Sequence, residues 1–118
     1  MHQITVLLAI QPRMLSAVVG GMVERQPDMD VVGEVSDHSE LGVAIPATGA
    51  QVVIMTSGDA EREPGICRDL LAEYPQLKIM ALSAAGDTAF LYQLGAKPER
   101  MDDVGEAAIL SAIREFMR

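Results

Sequence analysis

Aromatic residues and cysteine are scarce in this chain of 118 residues, which has two Phe, two Tyr, no Trp and one Cys. The single cysteine, Cys67, cannot form an internal disulfide and cannot build a cysteine metal cluster. So few aromatic rings also leave little for stacking on nucleic-acid bases. The composition therefore argues against a disulfide scaffold, a cysteine-based metal site and a base-stacking surface.

Basic residues are in the minority as well, with nine Lys and Arg against 17 Asp and Glu, for a net charge of −8. A surface of that sign repels phosphate backbones, so we expect no direct binding of nucleic acid. No apolar run reaches the roughly 18 to 20 residues of a membrane span, and the first residues lack a signal-peptide pattern. We therefore expect a soluble, cytoplasmic protein that binds neither nucleic acid nor a membrane directly.

The length and balance of residue types are those of one globular domain. Hydrophobic residues make up 49% and charged residues 22% of the chain, which is close to the average for folded proteins. A chain of this size buries a real core but is too short for two domains. We expect residues 1–118 to form a single domain.

Strand-like and helix-like segments alternate along the chain. The predicted strands are 3–10, 30–35, 51–55 and 77–82, and the predicted helices are 13–26, 37–48, 64–74, 87–94 and a last one that begins near 103. A fifth strand over 97–101 should be weak, because Pro98 lacks a backbone donor. Alternation of this kind predicts an α/β fold with a parallel sheet and helices on both faces.

Ligands of such folds bind beyond the carboxyl ends of the strands. The positions at which chemistry would occur are therefore Ile10 and Gln11, Thr56 and Ser57, Ser83, and the stretch that follows residue 96. For Thr56 and Ser57, a strand end with local hydroxyl-to-backbone hydrogen bonds is favoured over a site of Ser/Thr phosphorylation.

Three stretches of the chain, 4–9, 26–37 and 51–55, resemble the receiver domain of response regulators. The similarity is greatest to receivers that are joined to LuxR-type helix-turn-helix domains. Segments 74–79 and 94–96 fall where that family has similar sequence. The resemblance covers nearly the whole chain, and it implies a doubly wound, flavodoxin-like or CheY-like fold. Such a fold has a parallel five-stranded sheet in the order 2-1-3-4-5.

The resemblance also implies a set of phosphorylation residues, and most of them are replaced here. The acidic pair that would hold Mg²⁺ falls on Ile10 and Gln11, neither of which offers a carboxylate. The phosphate-accepting aspartate falls on Thr56, whose neutral hydroxyl is a poor nucleophile. Ser83 keeps the hydroxyl role, whereas the lysine position falls on Asp102. We therefore expect an inert site with no catalytic residue, no metal and no cofactor.

No other constellation in the sequence predicts an enzyme. His2 and His38 lack the spaced Cys or carboxylate partners of a metal site. The chain contains no H-E-x-x-H motif and shows no Ser-His-Asp or Cys-His arrangement. We expect a protein without enzymatic activity.

The sequence thus predicts a degenerate receiver, or pseudo-receiver, that acts in bacterial signal transduction or transcription regulation without being phosphorylated. Its partner would be another protein or a second copy of the chain. The last helix carries an apolar stripe broader than its own domain needs, so it is the expected interface, with Ile109, Ile113, Phe116 and Met117 as candidates. The alternative is a small-ligand sensor whose crevice is lined by Ile10, Thr56 and Ser83.

Overall fold

The computed structural model describes residues 3–10, 13–35, 38–57, 63–83, 88–95, 97, 99–102 and 105–116. Strands and helices alternate through most of these residues. The strands are β1 (Ile4–Ala9), β2 (Met29–Glu34), β3 (Val52–Ser57), β4 (Lys78–Ser83), β5 (Thr88–Gln93) and β6 (Glu99–Asp102). The helices are α1 (Arg13–Glu24), α2 (Leu41–Thr48), α3 (Glu63–Glu73) and α4 (Glu106–Phe116), and a 3₁₀ turn (His38–Glu40) precedes α2.

All six of these strands belong to one sheet, in the order β2-β1-β3-β4-β5-β6. Strands β2, β1, β3 and β4 are parallel to one another. Strand β5 runs antiparallel to β4, and β6 runs antiparallel to β5. The predicted α/β class and the order 2-1-3-4-5 are confirmed. The sheet differs from the prediction in having a sixth strand and in being parallel only over its first four strands.

The predicted helix over 87–94 is wrong, because this segment is strand β5. Its side chains alternate between the two faces: Ala89 packs into one core cluster, and Phe90 and Tyr92 pack against the other. Aromatic residues favour strands. The connection from Ser83 to Thr88 is also too short for the crossover that a parallel neighbour of β4 would require. The strand therefore turns back and pairs with β4 in the antiparallel direction.

The segment in which a weak fifth strand was predicted forms β6, at the edge of the sheet. It has four residues, and Glu99, Arg100 and Asp102 are exposed. Charged side chains on a short edge strand discourage pairing with another sheet. The other edge strand is β2, which has an irregularity in its pairing with β1 between Val6 and Leu7.

The sheet has a hydrophobic core on each face. One core lies beneath α1 and α4 and includes Val6, Leu8, Ile10, Val19, Val23, Ile54, Leu82, Ile109 and Ile113. The other lies beneath α2 and α3 and includes Leu7, Ala9, Leu41, Ile45, Val53, Met55, Cys67, Leu71, Ile79 and Ala81. Burial on both faces explains why the central strands are continuous apolar runs in the sequence.

Local features fix where the helices end. Gly49 adopts a left-handed conformation with φ of 69°, and its N–H donates to the Ile45 carbonyl, which confirms it as the end of α2. Residues 37 and 103, at which two of the helices were predicted to begin, lie outside the described residues. No helix among the described residues is long and apolar enough to cross a membrane.

Candidate functional site

The carboxyl ends of β1, β3 and β4 lie side by side at one edge of the sheet. Ala9, the last residue of β1, pairs with Met55 of β3, and Ser57 at the end of β3 pairs with Ser83 at the end of β4. The fold therefore brings Ile10, Thr56 and Ser83 to the same edge, as the sequence predicted. We call this edge, with Ile10, Thr56, Ser83 and Asp102, the degenerate site.

Ile10 takes no part in a polar site. Its side chain is buried and belongs to the core cluster beneath α1 and α4, so an alkyl group occupies the position that the resemblance assigns to an oxygen ligand of Mg²⁺. Gln11, the second position of the expected acidic pair, lies outside the described residues. The burial of Ile10 also removes one of the side chains that the small-ligand alternative needed to line an open crevice.

Thr56 is buried near the end of β3, where it pairs with Leu82 of β4. Its hydroxyl is uncharged and could attack a phosphoryl donor only if a neighbouring base removed the proton. Because its side chain is almost fully covered by the protein, a phosphoryl donor has little access to it. A buried neutral side chain therefore lies at the position that the resemblance assigns to the phosphate-accepting aspartate of a receiver.

Strand β2, which pairs with β1, contributes a carboxylate that the comparison with the receiver's phosphorylation residues did not include. Glu34 is the last residue of β2 and lies opposite Leu8 of β1, so it belongs to this edge of the sheet. The buried hydroxyl of Ser16 on α1 donates a hydrogen bond to Glu34 Oε1. The signal for Glu34 in the sequence was its place at the end of a strand. One carboxylate engaged by a hydroxyl does not reproduce an acidic pair.

The Ser83 hydroxyl has a structural role. Its Oγ accepts a hydrogen bond of 3.2 Å from the backbone N–H of Thr88, which holds the start of β5 against the end of β4. Sequence comparison identified Ser83 as the retained member of the phosphorylation set. Its geometry shows that the hydroxyl also closes the β4–β5 hairpin.

Asp102 reaches the same edge through the two antiparallel strands. It is the last residue of β6 and pairs with Thr88 at the start of β5. The Asp102 carboxylate accepts a hydrogen bond from Arg100 Nε at 3.0 Å, and both side chains are exposed. A carboxylate therefore lies at the position that the resemblance assigns to the lysine of a receiver, and a negative charge there would repel a phosphoryl group.

The described residues at this edge do not fit a bound Mg²⁺ ion, which takes octahedral oxygen ligands with one or more carboxylates. Within the described ranges, no three His, Cys, Asp or Glu side chains are grouped so that they could hold a metal.

The predicted interface on the last helix needs correction. Ile109 and Ile113 are buried in the core beneath α1 and α4, so they are not available to a partner. Phe116 is half-buried and packs against the same cluster, and Met117 lies outside the described residues. The stripe on α4 is broad because its residues pack into a core cluster shared with α1 and the sheet, and the domain uses most of it.

The solved structures that are similar to the chain include two of RcsB. One is the isolated REC domain of RcsB from Salmonella enterica serovar Typhimurium, in the presence of phosphomimetic BeF3⁻. It has a TM-score of 0.62 and 20% identity, over 98% of this chain and 73% of that one. The other is the Salmonella typhimurium RcsB response regulator, described for its conformational dynamism for DNA interaction, with a TM-score of 0.62 and 22% identity.

The match to the second structure covers 70% of this chain and 44% of that chain, so the chain spans less than half of that protein's length. No protein-family model matches the chain, and no curated protein matches it. At this level of identity the structural similarity shows the fold. The chain has the fold of a response-regulator receiver domain, as the resemblance predicted.

Proposed function

We propose that this chain is a pseudo-receiver, a protein-interaction module of bacterial signal transduction or transcription regulation that works without aspartyl phosphorylation. The observation that carries the proposal is the pair Ile10 and Thr56, two buried side chains without a carboxylate at positions where a receiver binds Mg²⁺ and accepts the phosphoryl group. The receiver fold supports the role in signalling, and the altered edge of the sheet supports independence from phosphorylation.

The chemistry of phosphoryl transfer explains why these two changes are sufficient. A receiver needs carboxylate oxygens for the metal, which neutralises the charge of the phosphoryl group during transfer. It also needs an anionic nucleophile, which a buried threonine does not supply. Loss of either function alone would slow the reaction, and Ile10, Gln11 and Thr56 supply neither.

The hydrogen bond of Ser83 supports the same conclusion. A hydroxyl that responds to a phosphoryl group must be able to reorient towards it. In this chain the Ser83 oxygen is held by Thr88 across a tight hairpin. The adjacent strand β6 ends in the exposed ion pair of Arg100 and Asp102, which presents a carboxylate to the same edge.

We propose that the partner is a protein, which is either a different protein or a second copy of this chain. The net charge of −8 opposes direct contact of this domain with nucleic acid. The DNA interaction described for RcsB belongs to that protein, and any DNA binding by an assembly containing this chain would come from another domain. We place the protein in the cytoplasm, where response regulators act.

Intact-protein mass spectrometry after incubation with acetyl phosphate and Mg²⁺ tests the proposal. The RcsB receiver domain serves as a parallel positive control. The mass of this chain should stay unchanged while the control gains a phosphoryl group. A stoichiometric gain that maps to an Asp or Glu would overturn the proposal. A gain that disappears in Thr56→Ala would instead identify a hydroxyl acceptor and would equally refute an inert site.

A further inference from the structure

Helix α1 presents an apolar stripe to solvent on the side opposite its buried face. Met14 is 80% exposed and Val18 is 56% exposed, and Ala17 is exposed between them. Gly21 continues the same side one turn further along the helix. These four residues have the spacing i, i+3, i+4 and i+7, which places them on one face of a helix.

This stripe is unusual among the described residues. Only four large hydrophobic side chains there are exposed: Met14, Val18, Val43 and Leu94. Val43 is on α2, and Leu94 follows β5 in a turn, so each lies alone on its element. Single exposed apolar residues are normal on a protein surface, whereas contiguous apolar patches mark sites of interaction. Met14 and Val18, four residues apart, form such a patch with the two small residues.

The charges at the ends of α1 are reversed relative to the helix dipole. Arg13 lies at the positive, N-terminal end and Glu24 at the negative, C-terminal end. Neither side chain forms an ion pair with another residue in the part of the chain that the structure describes. Both charges are exposed and unfavourable for the isolated helix. A partner that brings the opposite charge to each end would relieve this arrangement.

The spacing of the two charges identifies the partner that can do this. Arg13 and Glu24 are eleven positions apart, which corresponds to about three turns, so both lie on the same side of α1. A second α1 that packs antiparallel about a two-fold axis brings its own Glu24 next to Arg13. The same symmetry brings its Arg13 next to Glu24. An isologous contact of this kind satisfies both charges with one surface.

The small residues favour the same contact. Ala17 and Gly21 lie on either side of the midpoint between Arg13 and Glu24, where a two-fold axis would bring the two helices closest together. A Cβ placed on Gly21 would meet only the end of the Arg25 side chain, at 3.6 Å. Small side chains at a crossing point let two helices approach closely, while the larger Met14 and Val18 pack around the crossing.

We propose that this protein forms a homodimer in which α1 of each copy packs antiparallel on α1 of the other. Met14, Ala17, Val18 and Gly21 form the contact, and an Arg13–Glu24 ion pair forms at each end. This inference rests on the self-association included in the proposed function and assigns a surface to it. The contact is small, because one helix face supplies it, so the dimer is weak and its dissociation constant lies in the micromolar range.

Charge reversal tests the ion pairs. Sedimentation velocity from micromolar to several hundred micromolar compares wild type, Arg13→Glu, Glu24→Arg and the double reversal. Each single reversal places two like-charged contacts in the dimer, so the dissociation constant should rise about tenfold. The double reversal restores both pairs and should recover wild-type association. Each single reversal also improves the match to the helix dipole, so the melting temperature should not fall.

A matched pair of apolar variants tests the stripe. Val18→Glu should abolish the dimer, whereas Val43→Glu, a comparably exposed valine on α2, should leave it unchanged. Wild type that is monomeric at the highest concentration would refute the dimer and would leave the inert phosphorylation site unaffected. A dimer that resists Val18→Glu and both charge reversals would refute this interface alone.

Discussion

Arg114 and Asp28 form a two-point ion pair that joins the end of α4 to the connection between α1 and β2. Arg114 Nε donates to Asp28 Oδ2 at 2.9 Å and Nη2 donates to Oδ1 at 3.1 Å. The same Nη2 donates to Gln26 Oε1 at 2.7 Å. A planar guanidinium is suited to this fork because its donors have fixed directions. The contact holds the last helix in place beside α1.

Replacing the guanidinium with an ammonium group should weaken this attachment. We expect Arg114→Lys to lower the melting temperature, because lysine provides one point charge and cannot contact Asp28 and Gln26 in the same geometry. Arg25→Lys is the control, since Arg25 makes a single contact with Glu106 at 3.0 Å and both side chains are largely exposed. Differential scanning calorimetry should show the larger decrease for Arg114→Lys. Equal decreases would contradict the role of the fork.

The same pair gives a pH dependence. The hydrogen bond from Arg114 lowers the pKa of Asp28 below its ordinary value of 3.8, although partial burial opposes this. A carboxylate whose pKa is lowered by folding stabilises the fold fully above its unfolded pKa and loses that contribution as the pH falls through the folded pKa. Wild type should therefore be more stable than Asp28→Asn at neutral pH. In urea titrations the difference should shrink below pH 3.8. A difference that does not change with pH would contradict this assignment.

Gly33 should be intolerant of a side chain. A Cβ at this position would lie 3.0 Å from Leu7 Cδ1 and 3.3 Å from Thr48 Cγ2, and Leu7 is buried and cannot move aside. We expect Gly33→Ala to cost about 1 kcal/mol of stability. Gly42→Ala is the control, because nothing lies within 4 Å of a Cβ there. That change should be neutral or stabilise α2 by up to about 1 kcal/mol. Chemical denaturation measures both, and a reversed order would refute the packing argument.

Ser83 should contribute to stability through the hairpin. Ser83→Ala removes the acceptor of the Thr88 N–H and should cost about 0.5–1.5 kcal/mol. Ser83→Thr keeps the hydroxyl and should cost less. Amide hydrogen exchange at Thr88 gives a local measurement, and its protection should fall in the alanine variant only. Unchanged protection in Ser83→Ala would show that the hydroxyl does not hold the strand.

The sequence correctly predicted those helices and strands that have a clear pattern of apolar residues within their own segment. Strands β1, β3 and β4 are apolar on both faces, and α1 and α4 have a clear helical period, so their class and order were correct. Segment 88–93 was ambiguous because a short apolar run fits either a helix or a strand. Gly95, directly after this segment, has a φ of 82° and lies in the turn that follows β5. Only the pairing of this segment with β4 and β6 determines that it is a strand.

The degenerate site stays a prediction, and it depends only on which residues are present at the positions that the resemblance assigns. The absence of carboxylates at Ile10 and Thr56 can be read directly from the sequence. The hydrogen bond between Ser16 and Glu34 could not be predicted from the sequence, because it joins two elements whose distance from each other is determined only by the fold. The interface prediction at Ile109 and Ile113 failed for the same reason. A helical stripe shows that a face is apolar without showing how much of it the domain covers.

The central claim is that the carboxyl edge of this sheet does not take up a phosphoryl group or its mimic. The most direct test titrates BeF3⁻ and Mg²⁺ into ¹⁵N-labelled protein and follows the backbone amides of Thr56 and Ser83. The RcsB receiver domain, whose structure was determined with this phosphomimetic, serves as the control. We predict no saturable shift of either amide while the control responds. Saturable shifts at Thr56 and Ser83 that require both BeF3⁻ and Mg²⁺ would contradict the account.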